Sequence, residues 1–181
     1  MNTLSMILIL IIILGIIGLV YITNYNKLQY LKTKIEQAEG IIDDSIRNKY
    51  DLIVKINSLV KKVIKDKKDY LKEYVNLKNH KISNFDLDRK LIEAMNVIYE
   101  LQNDYSTLEK NNELKEILYE IKTIDEKLTA VKSYYNKNTS SLNELVRKFP
   151  SMFVAKIHNI KIKPFFDGKD LHDDILDDFK L

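Results

Sequence analysis

Three observations predict an all-α fold: an N-terminal transmembrane helix followed by an antiparallel bundle of about four long helices. Only two prolines and four glycines occur in 181 residues, where average usage gives roughly 9 and 13. Apolar residues recur at spacings of three and four along nearly the whole chain, the period of one helix face. Charged residues make up 30% and hydrophobic residues 45%, a balance typical of long helices. The same counts argue against a β-sandwich, which needs turn residues about every 8–12 positions, and against glycine-rich phosphate loops. With no cysteine, the chain has no disulfide, thiolate metal site, cysteine nucleophile or lipidated cysteine.

The first element is the membrane segment. Residues 2–26 carry no charged side chain, and Leu4 to Ile22 is dominated by Ile and Leu. A helix over that stretch is roughly 28 Å long at about 1.5 Å per residue, close to the bilayer hydrocarbon thickness. Tyr21 and Tyr25 fall where an interfacial aromatic belt belongs. A cleavable signal peptide would need a basic leader, a shorter apolar core and a small-x-small cleavage site. Thr23-Asn24-Tyr25 supplies none of these, so the segment reads as an uncleaved anchor over residues 1–23, with the lipid bilayer as its partner through residues 4–22. Nothing basic precedes the span except the terminal amine, which bacterial formylation masks. Lys27, Lys32 and Lys34 follow it before the first acid, Glu36. The positive-inside rule therefore predicts a single-pass protein of the cell membrane, N-terminus outside and bundle in the cytoplasm.

The bundle occupies residues 24–150. Its first helix follows directly from the span along Leu28, Leu31, Ile35, Ala38, Ile42, Ile46, Tyr50, Ile53, Ile56, Val60 and Val63. A second, shorter helix is expected from Asp69 to Asn79, using Tyr70, Leu71, Tyr74, Val75 and Leu77. Ser83-Asn84-Phe85-Asp86 reads as a capping box that opens a third helix. The stripe of that helix is Leu91, Met95, Ile98, Leu101, Tyr105 and Leu108, and Asn111-Asn112 breaks it. The fourth runs through Leu114, Ile117, Ile121, Ile124, Leu128, Val131, Tyr135, Leu142, Leu145 and Phe149, and Pro150 stops it. Sustained periodicity with short connections favours an antiparallel bundle. If the helices alternate in direction, the fourth returns toward the membrane and residues 151–166 lie near the bilayer.

The net charge of +3 conceals an uneven distribution. Phe165 to Leu181 holds six aspartates against two lysines, leaving +7 on the rest of the chain. Residues 167–181 thus form an acidic tail, without the spacing of a calcium loop. The lysine run Lys61, Lys62, Lys65, Lys67, Lys68 and Lys72 reads as a solvated helix end. On a straight helix Lys61 is about 55 Å beyond Tyr25, far outside a Debye length of about 8 Å. Lysines outnumber arginines 26 to 3, and no recognition motif accompanies them, which argues against specific nucleic-acid binding. Ser151 to Phe166 mixes Met152, Phe153, Ile157, Ile160, Phe165 and Phe166 with Lys156, Lys161 and Lys163. Packing back along the first helix is its expected role, with an interfacial position on the bilayer as the alternative.

Several motifs then point to a family. Asn24-Tyr25-Asn26-Lys27-Leu28 after the span resembles the "YN-x-L" entry of the LemA family of bacterial membrane proteins. Arg47-Asn48-Lys49-Tyr50-Asp51-Leu52-Ile53 is similar to its "R-R-x-D-L-I" block. Glu126 with Lys132-Ser133-Tyr134-Tyr135-Asn136 resembles "E-x5-R-x-x-YN", and Asn143, Phe149-Pro150, Ala155 and Phe165-Phe166 resemble the family's ending. Val54 stands where the family commonly has proline and Lys132 where it has arginine. The resemblance spans residues 24–166, leaves out the acidic tail, and implies a membrane-anchored helical domain. It carries no activity with it, because the molecular function of the family is not established.

The candidate site residues are Arg47, Asp51, Glu126, Lys132, Asn136 and Asn143, expected to form a structural polar layer that fixes helix register. Arg47 and Asp51 are four apart and share a face of the first helix. Antiparallel packing would let either pair with Glu126 or Lys132 on the fourth. His80, His158 and His172 have no metal-ligand spacing, and Ser140-Ser141 lacks a nucleophile elbow. No catalytic residue, metal or cofactor is assigned. The expected function is a non-enzymatic membrane scaffold or interaction module with protein partners and self-association along helix faces. The alternative is a sensory or regulatory membrane subunit responding to envelope state.

Overall fold

A computed structural model describes residues 2–64, 68–79 and 82–166. They form an all-α fold of six α-helices and one 3-10 turn, with no strand among the described residues. The helices are α1 (Thr3–Ile64), α2 (Lys72–Val75), α3 (Asn84–Asp104), α4 (Ser106–Glu109), α5 (Asn112–Arg147) and α6 (Ser151–Ile157), and the 3-10 turn is Asn76–Asn79. The span and the first bundle helix are one continuous helix, α1. The acidic tail, His80, His172, Lys65 and Lys67 lie outside the described residues.

The chain divides into two compact units. The first comprises residues up to Gln37 together with those from Tyr134 onward, and the second runs from Ala38 to Ser133. In the first unit α1 buries a narrow stripe, Leu28, Leu31 and Ile35, and α5 buries Tyr135, Asn138, Thr139, Leu142 and Asn143. In the second unit the buried face of α1 widens to Ile42, Ser45, Ile46, Lys49, Tyr50, Leu52, Ile53, Ile56, Asn57, Leu59 and Val60. A wider stripe means more than one neighbour. The neighbours there include α5 through Lys49–Asp125 and the α2 region through Tyr50, whose hydroxyl donates to the Val75 carbonyl.

Local chemistry explains most boundaries. Ser83 Oγ accepts from the Asp86 backbone N–H at 3.1 Å and donates to its carboxylate at 2.6 Å, so Ser83 caps α3 as expected, with Asp86 reaching back to the Ser83 hydroxyl rather than to its backbone N–H. Asn111 Oδ1 accepts from the Leu114 N–H at 2.9 Å at the start of α5. The second helix is shorter than expected, a single α-turn followed by the 3-10 turn. Helix nucleation is costly, and asparagines compete for their own backbone groups, so a segment of that length is marginal without caps. The third helix also stops early, at Tyr105, whose backbone is extended and whose hydroxyl lies 3.1 Å from that of Tyr70. Leu108 therefore belongs to α4.

Candidate functional site

The second unit holds two ion pairs on its inner faces. Lys49 Nζ donates to Asp125 Oδ1 at 2.6 Å, with the lysine side chain 2% exposed and the aspartate 43%. Lys132 Nζ donates to Asp88 Oδ2 at 2.5 Å. The expected pairing of Arg47 or Asp51 with Glu126 or Lys132 does not form, and the polar layer is corrected accordingly. Arg47 is exposed and bonds Asp43 at 2.8 Å on its own helix. Asp51 and Glu126 are exposed, and Lys132 is held by α3.

The reason is angular. Lys49 follows Ile46 by three and precedes Ile53 by four, Asp125 follows Ile121 by four and precedes Leu128 by three, and Asp88 precedes Leu91 by three. These charges occupy slots of the apolar stripe. Arg47 and Asp51 follow the stripe positions Ile46 and Tyr50 by one, and Glu126 follows Asp125 by one, which turns each about 100° from that neighbour. A charge in a stripe slot was the available signal for Lys49, Asp125 and Asp88.

The first unit contains the more elaborate construction. α5 ends under Ser151, whose hydroxyl reaches the carbonyl of Leu145 at 2.6 Å and that of Lys148 at 2.8 Å, the latter also accepting from the Met152 N–H at 2.8 Å. The Phe149–Pro150 bond between is cis. α6 then closes with a Schellman motif: the Ile160 N–H bonds the Ala155 carbonyl at 2.8 Å and the Asn159 N–H that of Lys156 at 3.2 Å. Asn159 takes the left-handed φ of 51° that this cap requires, which asparagine tolerates better than most residues.

Over residues 160–166 the chain runs without regular structure and is strapped down by side chains of α5. Asn143 Nδ2 donates to the Lys163 carbonyl and Asn143 Oδ1 accepts from the Lys163 N–H, both at 2.8 Å. Tyr135 Oη donates to the Pro164 carbonyl at 3.0 Å, and Asn136 Oδ1 accepts from the Phe166 N–H at 2.8 Å. Asn136 and Asn143 are thus brought together as two clasps on one segment. At the other end, His158 Nε2 lies 2.7 Å from Tyr21 Oη, and its ring is 4.5 Å from that of Tyr25.

Two grooves flank this construction. One, of about 470 Å³, is lined by Asn24, Lys27, Tyr30 and Leu31 of α1, by the end of α5, and by Phe149, Pro150 and Ser151. The other, about 570 Å³, lies among Ser140, Asn143, Arg147 and Phe165. Neither contains the three cations whose pKa is raised. Lys34 is held up mainly by Tyr30 and further by Tyr134, whose rings lie 4.3 and 5.7 Å from its Nζ. Arg47 is held up by its bond to Asp43, and Lys90 by its bond to Glu93 and then by Glu73. Among the described residues, no three His, Asp or Glu side chains converge as metal ligands. What the arrangement can do chemically is hold backbone and present surface: an exposed aromatic and aliphatic patch, flanked by lysines, beside the end of the apolar span.

No curated protein matches this sequence. The family model for the LemA family matches residues 38–174. The match begins after the Asn24–Leu28 motif and runs beyond Phe166 into the acidic tail, eight residues past where the motifs end. It covers about three quarters of the chain, and the protein belongs to the LemA family.

Proposed function

We propose that the protein is a non-enzymatic, single-pass membrane protein whose helical units act as a scaffold or interaction module for other proteins at the bilayer. The observation that carries the reading is α1. No residue of its apolar stretch Leu4–Ile22 is buried inside the protein, and α1 is the one helix among those described that is long and apolar enough to cross a membrane. Large apolar side chains left this bare need an apolar solvent. The same helix continues without a break into positions that bury every third or fourth residue, so the anchor and the folded units draw on one helix. The clasps described above spend their polar groups on backbone, and they leave helix surface as the means of recognition. Lys27, Lys32 and Lys34 favour a cytoplasmic location for those units.

Photo-crosslinking in the membrane, from exposed positions such as Tyr119 on α5 (74% exposed) and Tyr99 on α3 (50%), followed by mass spectrometry, tests the proposal. Recovery of a defined partner or a second copy of the chain is the expected result. Recovery of neither would overturn it.

A further inference from the structure

The exposed face of α6 has the composition of an interfacial membrane helix. Its seven residues divide cleanly: Ser151, Val154 and Ala155 are buried, while Met152, Phe153 and Ile157 are 41, 54 and 68% exposed. Phe149, 73% exposed, packs edge-on against Phe153 with ring centroids 6.0 Å apart. A bare cluster of Phe, Phe, Met and Ile is costly in water. From Arg147 to Phe166 the chain carries Arg147, Lys148, Lys156, Lys161 and Lys163 and no acidic residue, so this stretch bears charge of one sign, with Lys148 paired to Glu144 of α5 at 3.3 Å.

The placement of this patch identifies its occupant. The His158–Tyr21 contact ties the C-terminal end of α6 to the last turn of the apolar run Leu4–Ile22. The other end of α6 lies at the groove lined by Asn24, Lys27, Tyr30 and Leu31. α6 therefore descends alongside α1 toward the span, with Ile157 nearest the level of Tyr21, Ser151 about 9 Å higher on the helix rise, and Phe149 at the groove at that far end. If residues 4–22 cross the bilayer, Tyr21 lies at its interface, and the α6 patch is continuous with that level.

We propose that α6 is a second, interfacial membrane contact: Ile157 and Phe153 insert among lipid headgroups while Lys156, Lys161 and Lys163 meet anionic ones. This inference rests on the reading of α1 as a bilayer anchor. Amphipathic segments with an apolar face and basic flanks bury that face roughly 5–10 Å into the headgroup boundary, and juxtamembrane lysines add attraction to an anionic surface. His158, clasped by Tyr21 and Tyr25, fixes the angle of entry.

The chain contains no tryptophan, so single tryptophans report one site each. The full chain would be placed in phosphatidylcholine nanodiscs containing phosphatidylglycerol, with lipids brominated on the upper acyl chain. Ile157→Trp, Phe153→Trp and Phe149→Trp replace exposed side chains, and Leu14→Trp reports the span. Leu14→Trp should be quenched, and quenching should fall in the order Ile157→Trp, Phe153→Trp, Phe149→Trp. Omitting phosphatidylglycerol should at least halve the quenching of Ile157→Trp and leave Leu14→Trp unchanged. Water-like, unquenched emission from all three α6-region tryptophans, with Leu14→Trp quenched, overturns the interfacial contact and leaves the anchor standing. An unquenched Leu14→Trp overturns the anchor and this inference with it. Equal quenching of Ile157→Trp with and without phosphatidylglycerol overturns the part assigned to the lysines.

Discussion

Water reaches only one side of the Lys49–Asp125 pair. The ammonium is enclosed and the carboxylate is nearly half exposed, so the two partners differ in what their removal leaves behind. Asp125→Ala strands a charge inside the second unit and should cost about 2–3 kcal/mol, less than a fully enclosed pair because Lys49 can draw water in through the vacated space. Lys49→Met keeps the volume of the stem and leaves Asp125 to hydrate, and should stay within about 1 kcal/mol of the natural chain. Urea unfolding of the full chain in micelles, followed by helical circular dichroism, separates the two. Equal losses would show that the pair is not desolvated on the lysine side. Lys90 offers a second residue-level test, since Glu93 at 2.8 Å and Glu73 at 3.5 Å hold its pKa above 10.5. A raised cation stabilises the folded state fully below its unfolded pKa. That contribution is lost as pH rises through the folded value, so the window lies above about pH 10.5. An NMR titration of lysine side chains should find Lys90 titrating late, and Glu93→Gln should move it back toward 10.5.

At the scale of elements, the clasp between α5 and the segment after α6 is where side chains replace missing secondary structure. Residues 160–166 have no ladder or helix to satisfy their backbone, yet the Lys163 N–H and carbonyl both find Asn143, and the Phe166 N–H finds Asn136. Asn143→Ala should release the segment at about 1.4 kcal/mol, read as roughly tenfold faster hydrogen exchange of the Lys163 amide with the helicity of α5 retained. Asn143→Asp keeps the acceptor and loses the donor, so the Lys163 amide should remain protected while its carbonyl faces a like-signed partner. Unchanged exchange in Asn143→Ala would show that the segment is held elsewhere. These elements also show what the sequence made legible. The Ser83 start of α3 and the stop of α5 before Pro150 follow from period and local chemistry, and the structure places them as expected, while the second and third helices end short of their apolar stripes. The carboxamide partners do not follow, because Lys163 and Phe166 offer only backbone, and backbone leaves no mark in the spacing of side chains. The charged site was misread by two positions at Arg47 and by one at Glu126: a helix turns about 100° per residue, so Arg47 and Lys49, about 200° apart, face different surroundings although both sit in one basic block.

For the whole molecule, the proposed anchor raises the question of which side of the bilayer receives the folded units. The flanking charge is slender: Lys27, Lys32 and Lys34 after the apolar run, and no basic side chain before it. Orientation set by so few charges should be reversible by moving them. The natural chain has no cysteine, so Tyr119→Cys, at an exposed position on α5, adds a single reporter on the polypeptide that follows the span. In intact cells an impermeant maleimide should fail to label it until the membrane is opened. With Lys27, Lys32 and Lys34 changed to glutamine and four lysines placed ahead of Leu4, the same reporter should become labelled in intact cells in a substantial fraction of molecules. Lys34 also stands over Tyr30 and Tyr134, so its replacement carries a packing cost that the other two do not. A variant keeping Lys34 and changing only Lys27 and Lys32 should therefore invert less completely but remain as stable as the natural chain. Labelling of the natural chain in intact cells would place the units outside. No inversion in either variant would mean that translocation of the folded portion, rather than the flanking lysines, fixes the topology.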